Sequence, residues 1–246
     1  VLSEPSCACG CYAWPIFLVC RLRSWYCTID DAYMQTDKSL KYADGKILVF
    51  ARPPVNGHVK TRLAKTIGNK HALEVYIDLL KHTVAMVCSS SLAKVEICVA
   101  GNIDHVLFNE LVQKYDVELT TQSGNDLGDR MYNAISAALN HFSYCVIIGS
   151  DCPVMSADYI DQAFASLEGG FDAVIGPAED GGYVLLGAKK VEQSWFTDIE
   201  WGSQHVHKQT LMKMQDGAIQ VAELDVLWDI DTFSDFRRWE RQRSTP

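Results

Sequence analysis

Residues 144–153 read YCVIIGSDCP, that is Tyr144-Cys145-Val146-Ile147-Ile148-Gly149-Ser150-Asp151-Cys152-Pro153. The run from Tyr144 to Ile148 is apolar, rich in β-formers and short, which predicts a buried strand. Gly149 and Pro153 then break regular structure. Asp151 is left alone at the strand's carboxyl end, where open α/β sheets bind their ligands. Mg²⁺ is commonly held by one or two carboxylates plus substrate phosphates, so a single acid is enough to start a cation site. Asp151 is therefore the first candidate metal ligand, for Mg²⁺ or Mn²⁺.

The same strand-then-break pattern recurs on both sides of this stretch. Upstream, Lys46 to Ala51 (KILVFA), Val95 to Ala100 and Val117 to Thr121 read as strands. Between them, Asn69 caps a predicted helix to about Val87, and a second helix is predicted over Val106 to Tyr115. Met131, Ala134, Ile135, Ala138, Leu139 and Phe142 line one face of another. Downstream, Ser156 opens a helix to Glu168, and Asp172 to Gly176, Tyr183 to Gly187 and Ile219 to Val226 read as strands. Ser203 opens one more helix, and Thr232-x-x-Asp235 is a capping box for the last. Strands alternating with helices predict an α/β fold, a mostly parallel sheet with helices on both faces.

The chain has 246 residues, with 22 Lys+Arg against 31 Asp+Glu and a net charge of −9. That acidic balance argues against a nucleic-acid partner, which needs a basic face. It leaves room for a nucleotide enzyme, which needs only local cations. No apolar run is long enough for a membrane span. Cys7, Cys9, Cys11, Cys20 and Cys27 crowd the start, while Cys88, Cys98, Cys145 and Cys152 stand singly in apolar segments. The latter read as core residues of a reducing, cytoplasmic compartment. The alternating Cys7, Cys9 and Cys11 lack the spacing and second pair of a zinc site. Residues 1–39 are expected to be an extension outside the fold, and 40–246 a single domain.

Four clusters carry the chemistry. The loop after the first strand, Phe50 to Leu63 (FARPPVNGHVKTRL), sets Arg52, Lys60 and Arg62 around Gly57. Arg supplies fork-like donors and Lys a point charge, a composition suited to a di- or triphosphate. It is not a Walker loop, because His58-Val59 separate Gly57 from Lys60. The stretch Gln122 to Met131 (QSGNDLGDRM) opens a helix; its glycines and amides suit a base or ribose, and equally a capped helix start. Gly149 to Pro153 is the third. The fourth joins Pro177 to Tyr183 (PAEDGGY), whose Asp-Gly-Gly is a hairpin signal, with Asp229 and Asp231, acids that precede the last helix.

The segments 50–63, 126–131 (DLGDRM), 149–153, 177–183 and 229–235 (DIDTFSD) occur in the order of a bacterial family. The chain resembles that family over about residues 46–237. The family has a glycosyltransferase A-type, or nucleotide-diphospho-sugar transferase, fold. It looks like a distant relative of 2-phospholactate and molybdenum-cofactor guanylyltransferases. The resemblance implies a transferase with a nucleotide or nucleotide-sugar donor and a small acceptor, a glycosyltransferase ahead of a nucleotidyltransferase; a silent nucleotide-binding module is a further alternative. It implies that Lys60 and Arg62 meet donor phosphates, with Arg52, Gly57, Thr61, Gly128 and Arg130 in the nucleotide site. Asp151 matches the acid that binds the cation, and Asp231 a second acid near it. Asp180, Gly181 and Gly182 would line the acceptor side, Asp180 as the group that activates the acceptor, with Tyr183 and Trp201 beside them. Asp151 stands alone where many glycosyltransferases show Asp-x-Asp, since residue 153 is Pro.

Overall fold

Every residue of strand β1 (Gly45–Ala51) is buried except Phe50, because it has a parallel neighbour on each side and helices above and below. The computed structural model describes residues 39–244. The five early cysteines and the expected extension lie outside these, save Ser39. β1 pairs with β2 (Lys94–Val99) and β4 (Tyr144–Gly149), and β2 with β3 (Glu118–Thr121), all in parallel. On the other side β6 (Tyr183–Ala188) runs antiparallel between β4 and β5 (Ala173–Pro177), and β7 (Val221–Glu223) closes the edge parallel to β5. The order is β3-β2-β1-β4-β6-β5-β7. The hairpin read from Asp-Gly-Gly is present: Ala178 donates to the Gly182 carbonyl at 3.0 Å.

Helices α1 (Thr61–Ile67), α2 (Asn69–Ser90), α3 (Val106–Tyr115), α4 (Leu127–Leu139), α5 (Ala157–Glu168), α6 (Val206–Asp216) and α7 (Phe233–Ser244) cover this sheet. One face packs on α2, α3 and α5 through Tyr76, Leu80, Phe108, Ile160 and Phe164. The other packs on α4, α6 and a 3₁₀ turn (Gln193–Phe196) through Met131, Ile135, Trp195 and Met214. A third core fastens Leu63 of α1 and Val75 and Leu79 of α2 to Trp228, Ile230 and Phe236. It fixes the basic turn against the late acids, which lie far away in sequence. The four described cysteines are free, and burial pushes the Cys152 thiol up to about 11. Cys98, Cys145 and Cys152 are core residues, as read, and Cys88 is half-buried against the core. Among the described residues no helix is long and apolar enough to cross a membrane.

Four local expectations change. The loop read through Leu63 already contains α1, nucleated by the left-handed Lys60 at its N-cap. Asn69 is the first helical residue of α2 rather than its cap, which is Gly68. Ser203 does not cap α6; its hydroxyl accepts from His205 N at 3.1 Å in the turn before. The strand read over 219–226 shortens to Val221–Glu223, because β7 is an edge with one partner strand. The Thr232–Asp235 cap forms as read, with Asp235 Oδ2 accepting from Thr232 N at 2.7 Å.

Candidate active site

The carboxyl ends of β1 and β4 and the segment after β7 meet at one corner. At the end of β1, the Tyr76 hydroxyl donates to Arg52 O and accepts from Arg52 N, both at 2.8 Å. Burial pushes the Tyr76 phenol well up, so it remains a neutral clamp. Gly57, at φ +80, turns the chain as only glycine does without strain. Lys60 then takes φ 50, a left-handed conformation costly for a long side chain.

That strained residue is aimed inward. Its side chain is 3% exposed, and Nζ lies 2.9 Å from Asp151 Oδ2 and donates to the Ile230 carbonyl. Ile230 N in turn donates to Asp151 O at 3.0 Å. Asp151 and the 229–231 segment are thus tied twice. Lys60, expected to meet donor phosphate, is buried, and its contacts among the described residues are Asp151 and the Ile230 carbonyl. Arg62 is exposed, with Nη1 2.7 Å from Asp231 Oδ2. Arg52 and Thr61 are exposed on the same turn.

Four carboxylates converge here. Asp229 is half-buried, and its carboxyl is pushed up to about 6, first by burial and then by the Asp180 charge. Asp151 and Asp231 push the same way, and Lys60 opposes. Asp151 Oδ1 is buried with no hydrogen-bond partner among the described residues. Asp231, the expected second acid, pairs through Oδ2 with Arg62, whereas Asp229 makes no ion pair among the described residues. Among the described residues no group of three or more His, Cys, Asp or Glu is preassembled for a metal ion, so substrate oxygens and water would complete any shell.

The remaining site residues divide. Asp180 is exposed at the β5–β6 turn, its Oδ1 accepting from Gly182 N at 2.8 Å. Gly181 and Gly182 shape that turn rather than line a ligand. A Cβ on Gly181 would stand 2.1 Å from Gln204 O, and its φ is +88. Gly181→Ala is therefore expected to cost about 2–4 kcal/mol, read as a lower urea midpoint at unchanged slope; a midpoint within error of wild type would contradict the close approach. Gly128 is buried, its Cα packed on Phe196 and Trp201, with 2.8 Å left for a Cβ. The packing of Phe196 and Trp201 by itself requires a glycine here. Trp201 is half-buried over it, beside the helix start. Tyr183 turns its hydroxyl inward to Met131 Sδ at 3.8 Å. Arg130 Nε donates to Gly124 O at 3.2 Å and braces the loop before α4. Asp126 caps α4 by accepting from Asp129 N at 2.8 Å, the capped start weighed in the sequence. Two supports escaped the sequence reading: Tyr76, which looked like plain core, and Arg238. Arg238 pairs with Glu179 at 2.8 Å and stacks 4.3 Å over Trp228, linking the β5–β6 turn to the acid segment.

The burial of Asp229 has a measurable sign. Its folded pKa lies above the usual carboxylate value, so the folded form favours the neutral acid. The penalty is absent below about pH 4, grows as pH rises through about 6, and persists above it. In chelator, Asp229→Asn is expected to melt about 2–6 °C above wild type at pH 8 and to match it near pH 4, an effect of about 1–2 kcal/mol. A variant less stable at both pH values would place the carboxylate elsewhere.

The sheet order and the acid-lined end of β4 define a nucleotide-diphospho-sugar transferase fold. A crystal structure from Desulfovibrio desulfuricans G20, provisionally described as a nucleotide-diphospho-sugar transferase, is 30% identical. It matches 82% of this chain and 89% of its own, with a TM-score of 0.75. The 4-diphosphocytidyl-2C-methyl-D-erythritol synthase of Anaerococcus prevotii DSM 20548 is 11% identical (81% and 100% covered, TM-score 0.54). CMP:2-keto-3-deoxy-manno-octonic acid synthetase, complexed with CTP, is 9% identical (81% and 98%, TM-score 0.53). These two distant transferases share the fold. The chain belongs to DUF2064, a family of uncharacterised proteins conserved in bacteria, whose pattern matches residues 83–203. The DLGDRM, GSDCP and PAEDGGY segments fall inside that match. No curated protein matches the sequence.

Proposed function

We propose that this chain is a metal-dependent transferase with a nucleotide-activated donor, transferring a sugar to a small acceptor. The observation that carries the reading is the convergence of Asp151, Asp229 and Asp180 beside Arg62 at the carboxyl end of the sheet. The orphaned Asp151 Oδ1 and the uncomfortable Asp229 fit a divalent cation, Mg²⁺ or Mn²⁺, on these two residues. Such a cation would neutralise charge on the departing phosphate. Arg62, with Arg52 near it, holds donor phosphate oxygens through guanidinium donors. Lys60 acts through Asp151, keeping it at the strand end. Asp180, fixed by Gly182 N, orients the acceptor hydroxyl and takes its proton. In sugar transfer the acceptor oxygen bonds to the anomeric carbon, the carbon–phosphate oxygen bond breaks, and a nucleoside diphosphate leaves. The single buried cysteines fit a cytoplasmic setting.

A second reading is nucleotidyl transfer, in which the acceptor oxygen attacks the α-phosphorus and pyrophosphate leaves. The fold shared with the two distant cytidylyl-type enzymes favours it. Thermal melts over nucleotides and nucleotide sugars, with and without Mg²⁺ or Mn²⁺, find the donor, because a ligand of the native state raises the melting point. The product then decides: nucleoside diphosphate supports sugar transfer, pyrophosphate the second reading. Metal-dependent stabilisation with neither product, over a broad acceptor panel, would leave a silent nucleotide-binding module.

A further inference from the structure

We propose that the chain carries a second binding site, along the β3 side of the sheet and apart from the acid corner, for a linear aliphatic diamine. A cavity of about 540 Å³ lies between helix α4 and one face of β1, β2 and β3. It runs from Lys46 and Glu118, at the amino ends of β1 and β3, to Gln122 and Ser123 just past the carboxyl end of β3. From Glu118 to Gln122 is roughly 13 Å along an extended chain. The middle of the cavity is apolar, with Ala134, Ala137 and Ala138 of α4 on one wall and Cys98 on another.

Both ends are polar, and at both the uncommitted atoms include acceptors. At the amino end the Lys46 side chain is 3% exposed, with Nζ 2.6 Å from Glu118 Oε2 and 3.1 Å from Glu96 Oε2. Glu96 Oε1 accepts from the Thr120 hydroxyl at 2.6 Å. Glu118 keeps its second oxygen without a partner among the described residues, on a side chain 63% exposed. Beside it, the Phe142 ring already draws Lys46 and Lys94, at 5.4 and 5.8 Å from its centroid, as an aromatic face draws cations. At the other end, Gln122 Nε2 donates to the Cys98 carbonyl at 2.7 Å, and Asn133 Nδ2 to the Ser123 carbonyl at 2.9 Å. Their amide oxygens are left without a partner among the described residues. One lysine and two glutamates line the cavity, an excess of one negative charge. An anion would find a single ammonium, already engaged by two carboxylates. An aliphatic chain with an ammonium at each end fits instead. Its N–H donors meet Glu118 and Phe142 at one end and the two amide oxygens at the other, while its methylenes lie on the alanines.

Calorimetry with spermidine at physiological salt tests this on the full chain, since salt of that strength screens loose adsorption to an acidic surface. Wild type is expected to bind spermidine saturably, and butylamine, with one ammonium, at least about tenfold more weakly. Glu118→Gln is expected to weaken spermidine binding about three- to fivefold. Ala137→Leu fills the apolar middle from an exposed helix position and is expected to weaken it about tenfold or more, with an unchanged melting temperature in the absence of spermidine. Asp151→Asn, at the acid corner, is expected to bind spermidine as wild type does. No saturable binding to wild type overturns the proposal, as does full affinity in Ala137→Leu or equal affinity for butylamine. A loss in Asp151→Asn as large as that in Glu118→Gln would place spermidine among the other acids and overturn it too. None of these results bears on the transferase reading, which uses none of the residues lining the cavity.

Discussion

Asp151→Asn is expected to abolish the rise in melting temperature that Mn²⁺ or Mg²⁺ gives the wild type, and to lower turnover by about a thousandfold or more. The reasoning starts from one atom. Asp151 Oδ2 is committed to Lys60 at 2.9 Å, while Oδ1 is buried without a partner. An orphaned buried oxygen is costly in an empty site and becomes an asset once a cation arrives. The amide of Asn retains a carbonyl for Lys60, so the fold should survive, but it carries no charge for a metal. A ligand at a hundred times its dissociation constant stabilises the native state by about 2.7 kcal/mol, and this is the signal that should vanish. Circular dichroism confirms that the variant is folded, and melts with and without Mn²⁺ read the effect. A variant that still responds to Mn²⁺ as wild type does would place the cation elsewhere.

Lys60→Met should lower stability by about 2–3 kcal/mol, or roughly 5–10 °C in melting temperature. Removing the ammonium strands Ile230 O and Asp151 Oδ2, both of which it contacts. It also removes the cation that offsets the Asp180, Asp151 and Asp231 charges around Asp229. The usual figure for breaking a buried pair is larger; it is reduced here because the Asp151 side chain is 40% exposed. Lys60→Gly separates charge from backbone strain. It relieves the left-handed φ of 50 and should recover about 1 kcal/mol relative to Lys60→Met, without reaching wild type. Urea unfolding of the three proteins measures both differences. Wild-type stability in Lys60→Met would mean that the ammonium holds nothing together.

These two residues show how far the sequence reached into the site. Asp151 was legible because a strand buried on both sides reads as a continuous apolar run, and its end is marked by glycine and proline. The basic turn was equally legible as composition. What each cation does there was not. Lys60 and Arg62 are two positions apart and alike in charge, yet one is buried on Asp151 and the other lies in solvent on Asp231. The αL turn at Lys60 and the third core, which draws α1 onto Trp228 and Ile230, make that division. The glycines mislead for a related reason. Gly128 and Gly181 look like ligand loops in a motif, but each is required by a neighbour that arrives from residues 196–204.

By itself, the sequence determined the alternation of strands and helices, the hairpin at Asp180-Gly181-Gly182, the Thr232–Asp235 cap and the acid after β4. All of these follow from local periodicity, turn chemistry and short-range hydrogen bonds. Only the tertiary structure decided that β6 enters antiparallel between β4 and β5, and that Asp229 is half-buried among the charges of Asp180, Asp151 and Asp231 while Asp231 pairs with Arg62. Those outcomes depend on burial and on charges brought together from distant parts of the chain. Two acids separated by a single isoleucine are equivalent in sequence; an arginine far upstream makes them different.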